Sequence, residues 1–121
     1  MDGGSKRYEI FITQYELFYI NHEHEIGHYF RLLYNIVKLV KLTDGIDKKQ
    51  YTNILRAQLS SYELKLLFYN CISSWGKEKF KPLVEEFALL KTIPRAVLPD
   101  DNLLHQFTME AFGGSYPESF L

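Results

Sequence analysis

Arg56, Ser60, Glu63 and Asn70 are the donor and acceptor types from which an anion site or a buried polar network is built, and their spacing is helical. At about 100° per residue they line one narrow stripe. Leu55, Leu59, Tyr62, Leu66 and Tyr69 wall the stripe on one side, and Ala57, Leu64, Phe68 and Cys71 wall it on the other. Gln58, Ser61 and Lys65 take the opposite direction and read as the water-facing line. The stripe is therefore expected to point into the interior or a cleft. Burying an arginine and a glutamate is costly unless they are paired, so a polar network or a ligand is expected there.

A second polar line lies upstream. His28, Arg31 and Asn35 recur at helical spacing beside Leu32 and Leu39, flanked by an apolar face of Tyr29, Leu33, Ile36 and Val40. If the two helices pack antiparallel through a short connection, the lines face each other as a two-helix seam. Arg31 or Arg56 then pairs with Glu63, and His28 completes the network. Two readings follow: a salt-bridge lattice that fixes helix register, or a pocket for an anion, nucleotide or RNA phosphate, for which arginine and histidine supply the donors. An enzymatic version is an Arg/His helical ribonuclease with His28 as acid/base and Arg31 or Arg56 stabilising the phosphorane. The R-x4-6-H order of such nucleases is not found around these residues.

His24-Glu25-Ile26-Gly27-His28 matches H-E-x-x-H, in which two imidazoles one helical turn apart share a zinc ion and the glutamate polarises the bound water. This gives an alternative metal reading of His24, His28 and Glu63 in a zinc-dependent hydrolase. Against it, the match opens a helix, Gly27 weakens that turn, and no third-ligand signature follows. The looser cluster of His22, His24 and His28 reads as solvated polar residues. The leading reading therefore expects no cofactor and no metal. Cys71 sits too deep in an apolar face for a nucleophile, and Ser60 lacks an activating motif. The run Lys77–Lys81 is interrupted by acidic and aromatic residues and reads as a solvated helix start, and Trp75 reads as a packing anchor.

The elements that must position these residues are helical. Arg7 to Ile20 fits an amphipathic helix, with a strand as its alternative. His24 to about Leu42 is a helix closed by Thr43, Asp44 and Gly45. Asp47 is expected to cap one long helix running to about Ser73, with Gly76 as its breaker. A third spans about Lys77 to Leu90, with Pro82 near its first turn. Ile93 to Asp101 reads as a loop between prolines. Asp101 or Asn102 caps a last short helix to Phe112, before an irregular tail through Gly113, Gly114 and Pro117. The expected fold is all-α, a single-domain bundle of four to five helices. Residues 1–6 read as a flexible leader.

Composition excludes other classes. The 121 residues suit one domain, with 46% hydrophobic, 16% aromatic and 24% charged content. Fourteen Lys and Arg against 15 Asp and Glu leave a formal net charge of −1, which gives no strong nucleic-acid signature. One cysteine rules out an internal disulfide and suits a reducing compartment. No apolar run approaches a membrane span of roughly 20 residues, and no signal-peptide pattern opens the chain. The cytoplasm is the expected location.

Four ordered blocks, Gly27–Tyr34 (GHYFRLLY), Arg56–Ser60 (RAQLS) with Glu63, Leu66–Asn70 (LLFYN) and Lys79–Val84 (KFKPLV), resemble the putative phage abortive infection proteins, an AbiC-like family. The resemblance runs from about Ile26 to Leu90. It implies a role in bacterial defence against phage, with an unknown phage or host component as partner and no particular reaction. By position it points to His28, Arg31, Arg56, Gln58, Ser60, Glu63, Tyr69 and Asn70. Members of the family often carry membrane-spanning helices before this domain, so this chain is read as a soluble relative or as the cytoplasmic domain of a membrane-anchored parent. An anionic or phosphate-bearing ligand and a homo-oligomer are both compatible with it.

Overall fold

Residues 13–98 and 101–117 are described by a computed structural model of the chain. Among them the structure is all-α, without a strand. Of the first expected helix, residues 7–12 lie outside the described residues, and 13–21 form helix α1. It presents Tyr15 and Tyr19 to the core, and the chain re-enters helix at once after a turn in which His22 N–H donates to the carbonyls of Phe18 and Tyr19.

Helix α2 spans Glu23–Leu42. Its buried line is Ile26, Phe30, Leu33 and Val37, the i, i+4, i+7, i+11 series of one helix face. The expected face of Tyr29, Leu33, Ile36 and Val40 is thus turned toward its neighbour, and Ile36 is exposed. Aliphatic residues occur all round α2, so pattern alone does not select the inner side. Glu23 and Glu25 open the helix and Lys41 closes it, each sign suiting the dipole. Lys41 Nζ also reaches Glu86 Oε1 at 2.6 Å.

The long helix expected from Asp47 to Ser73 is two helices, α3 (Lys48–Ala57) and α4 (Ser61–Ile72). Asp47 caps α3 as expected, its Oδ1 accepting from Gln50 N–H at 3.2 Å. The break has a local cause: Ser60, three residues beyond the end of α3, forms a capping box with Glu63, so side chains satisfy donors at a new N-terminus. Ser60 Oγ accepts from Glu63 N–H at 3.1 Å, and Glu63 Oε1 accepts from Ser60 N–H at 2.8 Å. Angles counted through this break do not place Arg56 and Glu63 on one stripe.

Helix α4 is the central element. Leu64, Leu67, Phe68, Cys71 and Ile72 are buried on it, with Tyr69 and Asn70 beside them. Helix α5 covers only Phe80–Glu86, shorter than the expected Lys77–Leu90, with Pro82 in its first turn where a missing N–H costs nothing. Ala88 at φ 52° then turns the chain. A 3-10 turn at Arg95–Val97, the one-turn helix α6 (Asp101–Leu104) and a 3-10 turn at Met109–Phe112 follow. The last is tied to the segment after α5 by Leu90 N–H to Ala111 O at 3.0 Å, and Tyr116 Oη closes the tail on Phe107 O at 2.7 Å. α2 packs on α3 and α5, and α4 packs on α5 and the Arg95–Val97 turn. No described helix is long and apolar enough to cross a membrane.

Candidate functional site

Gly27, Arg31 and Asn35 follow one another at i+4 along α2 and form one wall of an open cleft of about 400 Å³. The opposite wall comes from the end of α4 and the turn into α5, through Asn70, Trp75, Gly76 and Lys79. Two glycines make the approach possible. A Cβ on Gly27 would meet Tyr19 Oη at 3.0 Å and Arg31 Nη1 at 3.3 Å, so α1 and the guanidinium both close over a position that only hydrogen fills. A Cβ on Gly76 would come within 2.6 Å of the Asn70 carbonyl oxygen, so the turn lies directly against the end of α4.

Aromatic rings make the floor and one flank. Tyr34 packs edge-on against Phe80 at 5.6 Å, and Trp75 stacks on Tyr19 at 4.1 Å with 19° between planes. Trp75 nevertheless remains 41% exposed. Among the described residues the charged groups of the lining are Arg31 and Lys79, with no carboxylate or imidazole beside them. Among the described residues neither cation has an ion pair. Asn70 is 3% exposed, and its Nδ2 donates to Tyr15 Oη at 3.0 Å, which fixes the amide at the inner end.

Of the residues singled out in the sequence, the cleft gathers Arg31, Asn35 and Asn70. The others are placed elsewhere. His28 is exposed on α2 outside the lining. Arg56, half-buried at the end of α3, donates from Nη1 to the Ala88 carbonyl at 3.3 Å. Gln58 is the exposed C-cap of α3, its N–H directed to the Leu55 and Arg56 carbonyls. Ser60 and Glu63 are occupied by the cap of α4, and Glu63 Oε2 also accepts from Tyr29 Oη at 2.9 Å. Tyr69 is buried against Tyr15, with ring centroids 6.2 Å apart, and burial pushes its hydroxyl up to about 12.

The expected pairing of Glu63 with Arg31 or Arg56 is not formed among the described residues. Its oxygens are taken by Ser60 N–H and Tyr29 Oη, because the break before α4 puts Glu63 in a first turn where backbone donors need an acceptor. These bonds, the backbone one first, hold its carboxyl below the usual range against a smaller opposing effect of burial. The H-E-x-x-H match does lie on a helix, with His24 and His28 both exposed. No group of three or more His, Cys, Asp or Glu side chains among the described residues is placed to hold a metal ion. Burial pushes the Cys71 thiol far up, which leaves it inert.

Sequence reasoning missed Tyr19 and assigned blander roles to Trp75 and Lys79. A signal existed: a tryptophan next to a glycine, with a lysine four residues after the tryptophan, just beyond a helix that carries a buried asparagine.

Fold and cleft together define a small all-α domain with a surface cleft whose charged groups are cations. Residues 21–98, well over half of the chain, match the family described as putative phage abortive infection protein, and the chain belongs to that family. Every cleft residue except Tyr19 falls inside the matched range. No curated protein and no solved structure matches the chain.

Proposed function

We propose that this chain serves phage abortive infection by binding an anionic, phosphate-bearing group in the cleft between α2 and the α4–α5 turn. The observation that carries the reading is the pair Arg31 and Lys79, two cations that, among the described residues, have no ion pair and share a cleft with no carboxylate. Guanidinium and ammonium groups are the donors that phosphate oxygens take, and partial exclusion of water by the aromatic floor strengthens the attraction. Asn35 adds an amide for a neighbouring hydroxyl or phosphate oxygen. Among the described residues the cations are accompanied by amides and aromatic rings, and the chemistry these side chains offer is binding. The phosphate bearer is a phage or host component met in the cytoplasm, a reducing compartment that suits the buried free thiol of Cys71.

The test is calorimetric titration with ribose 5-phosphate as the probe, alongside phage plating. Arg31→Ala and Lys79→Ala should each lose about tenfold or more in affinity, the scale of a hydrogen bond to a charged group. Protection should fall with affinity while the melting temperature holds. Unchanged binding and full protection in both variants would remove the reading.

A further inference from the structure

We infer that the group bound in this cleft is a nucleotide, its base stacked on Trp75 and its phosphate held by Arg31 and Lys79. The inference rests on the anion reading above and adds the aromatic half of the ligand.

Trp75 does not behave as a core anchor. One face of the ring is occupied by Tyr19 at 4.1 Å, yet the residue stays 41% exposed and lines the cleft. A tryptophan that served packing alone would be expected to turn its area inward. Its position is held from below by the Tyr19 stack and through its own backbone, Trp75 N–H donating to Ser73 Oγ at 3.3 Å and Ser73 Oγ–H donating to the Asn70 carbonyl at 2.7 Å. The ring is therefore ordered before any ligand arrives, and little entropy is lost when a second flat system stacks on it. Nucleobases are the flat systems that most often accompany phosphate, and their stacking on aromatic side chains is worth roughly tenfold or more in affinity.

The rest of the lining suits the same ligand. Asn35 is exposed, and its amide offers both a donor and an acceptor to a base edge. Asn70 has Nδ2 committed to Tyr15, so it sets the shape of the inner end. The volume of about 400 Å³ lies within the range of roughly 300–1,000 Å³ for small-ligand sites. Two lining cations on a chain of net charge −1 match one or two phosphates better than a long strand. The shared chemistry is a nucleoside 5′-phosphate, either free or as one residue of a single strand.

Trp75 is the chain's only tryptophan, so intrinsic fluorescence reads the stack directly. Titration of the chain with adenosine 5′-monophosphate should quench this emission, with affinity at least about tenfold tighter than for ribose 5-phosphate. Trp75→Ala should abolish the preference for the nucleotide, so that nucleotide and sugar phosphate bind that variant with equal affinity. Trp75→Phe, which keeps a ring and the packing on Tyr19, should retain part of the difference and guards against a folding defect. A short single-stranded oligoadenylate separates the two sources: tighter binding with a steep salt dependence assigns the nucleotide to a strand, and binding no tighter than the monophosphate assigns it to the free form. Equal affinities for nucleotide and sugar phosphate, with no quenching, would overturn the nucleotide and leave the anion reading standing. Binding of neither would overturn both.

Discussion

The junction between α3 and α4 and the cleft between α2 and the α4–α5 turn each place an arginine among polar and aromatic side chains, and use it in opposite ways. At the junction, Arg56 donates to the Ala88 carbonyl, Ser60 and Glu63 cap α4, and Glu63 also accepts from Tyr29. In the cleft, Arg31 and Lys79 have no ion pair among the described residues and face an open space floored by rings. A polar residue beside an apolar face is thus no sign of a site by itself. What separates the two regions is whether the fold supplies the partner.

The sharpest way to break this contrast is at Gly76, where the cleft depends on the fold for its shape. Gly76→Ala should destabilise by about 3 kcal/mol, because the added methyl meets the Asn70 side-chain oxygen and also its backbone carbonyl, and the backbone cannot swing aside as a side chain can. A chemical-denaturation midpoint equal to that of the unmodified chain would show that the turn is looser than the contact with Asn70 requires.

A smaller effect is expected at the junction. Ser60→Ala removes one half of the capping box and should cost about 1 kcal/mol in the same denaturation experiment. Affinity for ribose 5-phosphate should not change. A loss of affinity without a loss of stability would exchange the roles assigned to the two regions.

The smallest effect is a pH dependence at Glu63. Its carboxyl is lowered in the folded chain, so its ionised form stabilises the fold. That contribution is complete above the unfolded value and disappears as pH falls through the folded one. The stability difference between the unmodified chain and Glu63→Gln should therefore shrink as pH is lowered from about 5 to about 3. A difference that stays constant over that range would assign Glu63 no ionic role at the cap.

Much of this was legible in the sequence. Helical periodicity, the Asp47 cap and the breaking role of the segment around Gly76 follow from local rules, and each appears in the structure. The break before α4 was legible as well, since Ser60 with Glu63 three residues on is the capping signature. The same two residues also fit a polar stripe on a continuous helix, and periodicity alone cannot choose between the two. On α2, Leu32, Ile36 and Leu39 are exposed although aliphatic, which hid which face is inner. Arg31, Asn35 and Asn70 stood out as polar groups among apolar ones. Their meeting with Lys79, Trp75 and Tyr19 depends on close approaches at Gly27 and Gly76, and these are set by tertiary packing rather than by local pattern.

The contrast between the two regions is tested most directly by one comparison of affinities. Ribose 5-phosphate is titrated calorimetrically into Arg31→Ala and Arg56→Ala, both at a temperature where each variant is folded. The expected result is a loss of about tenfold or more for Arg31→Ala and none for Arg56→Ala. The reverse order, or equal losses, would contradict the assignment of the cleft as the binding region.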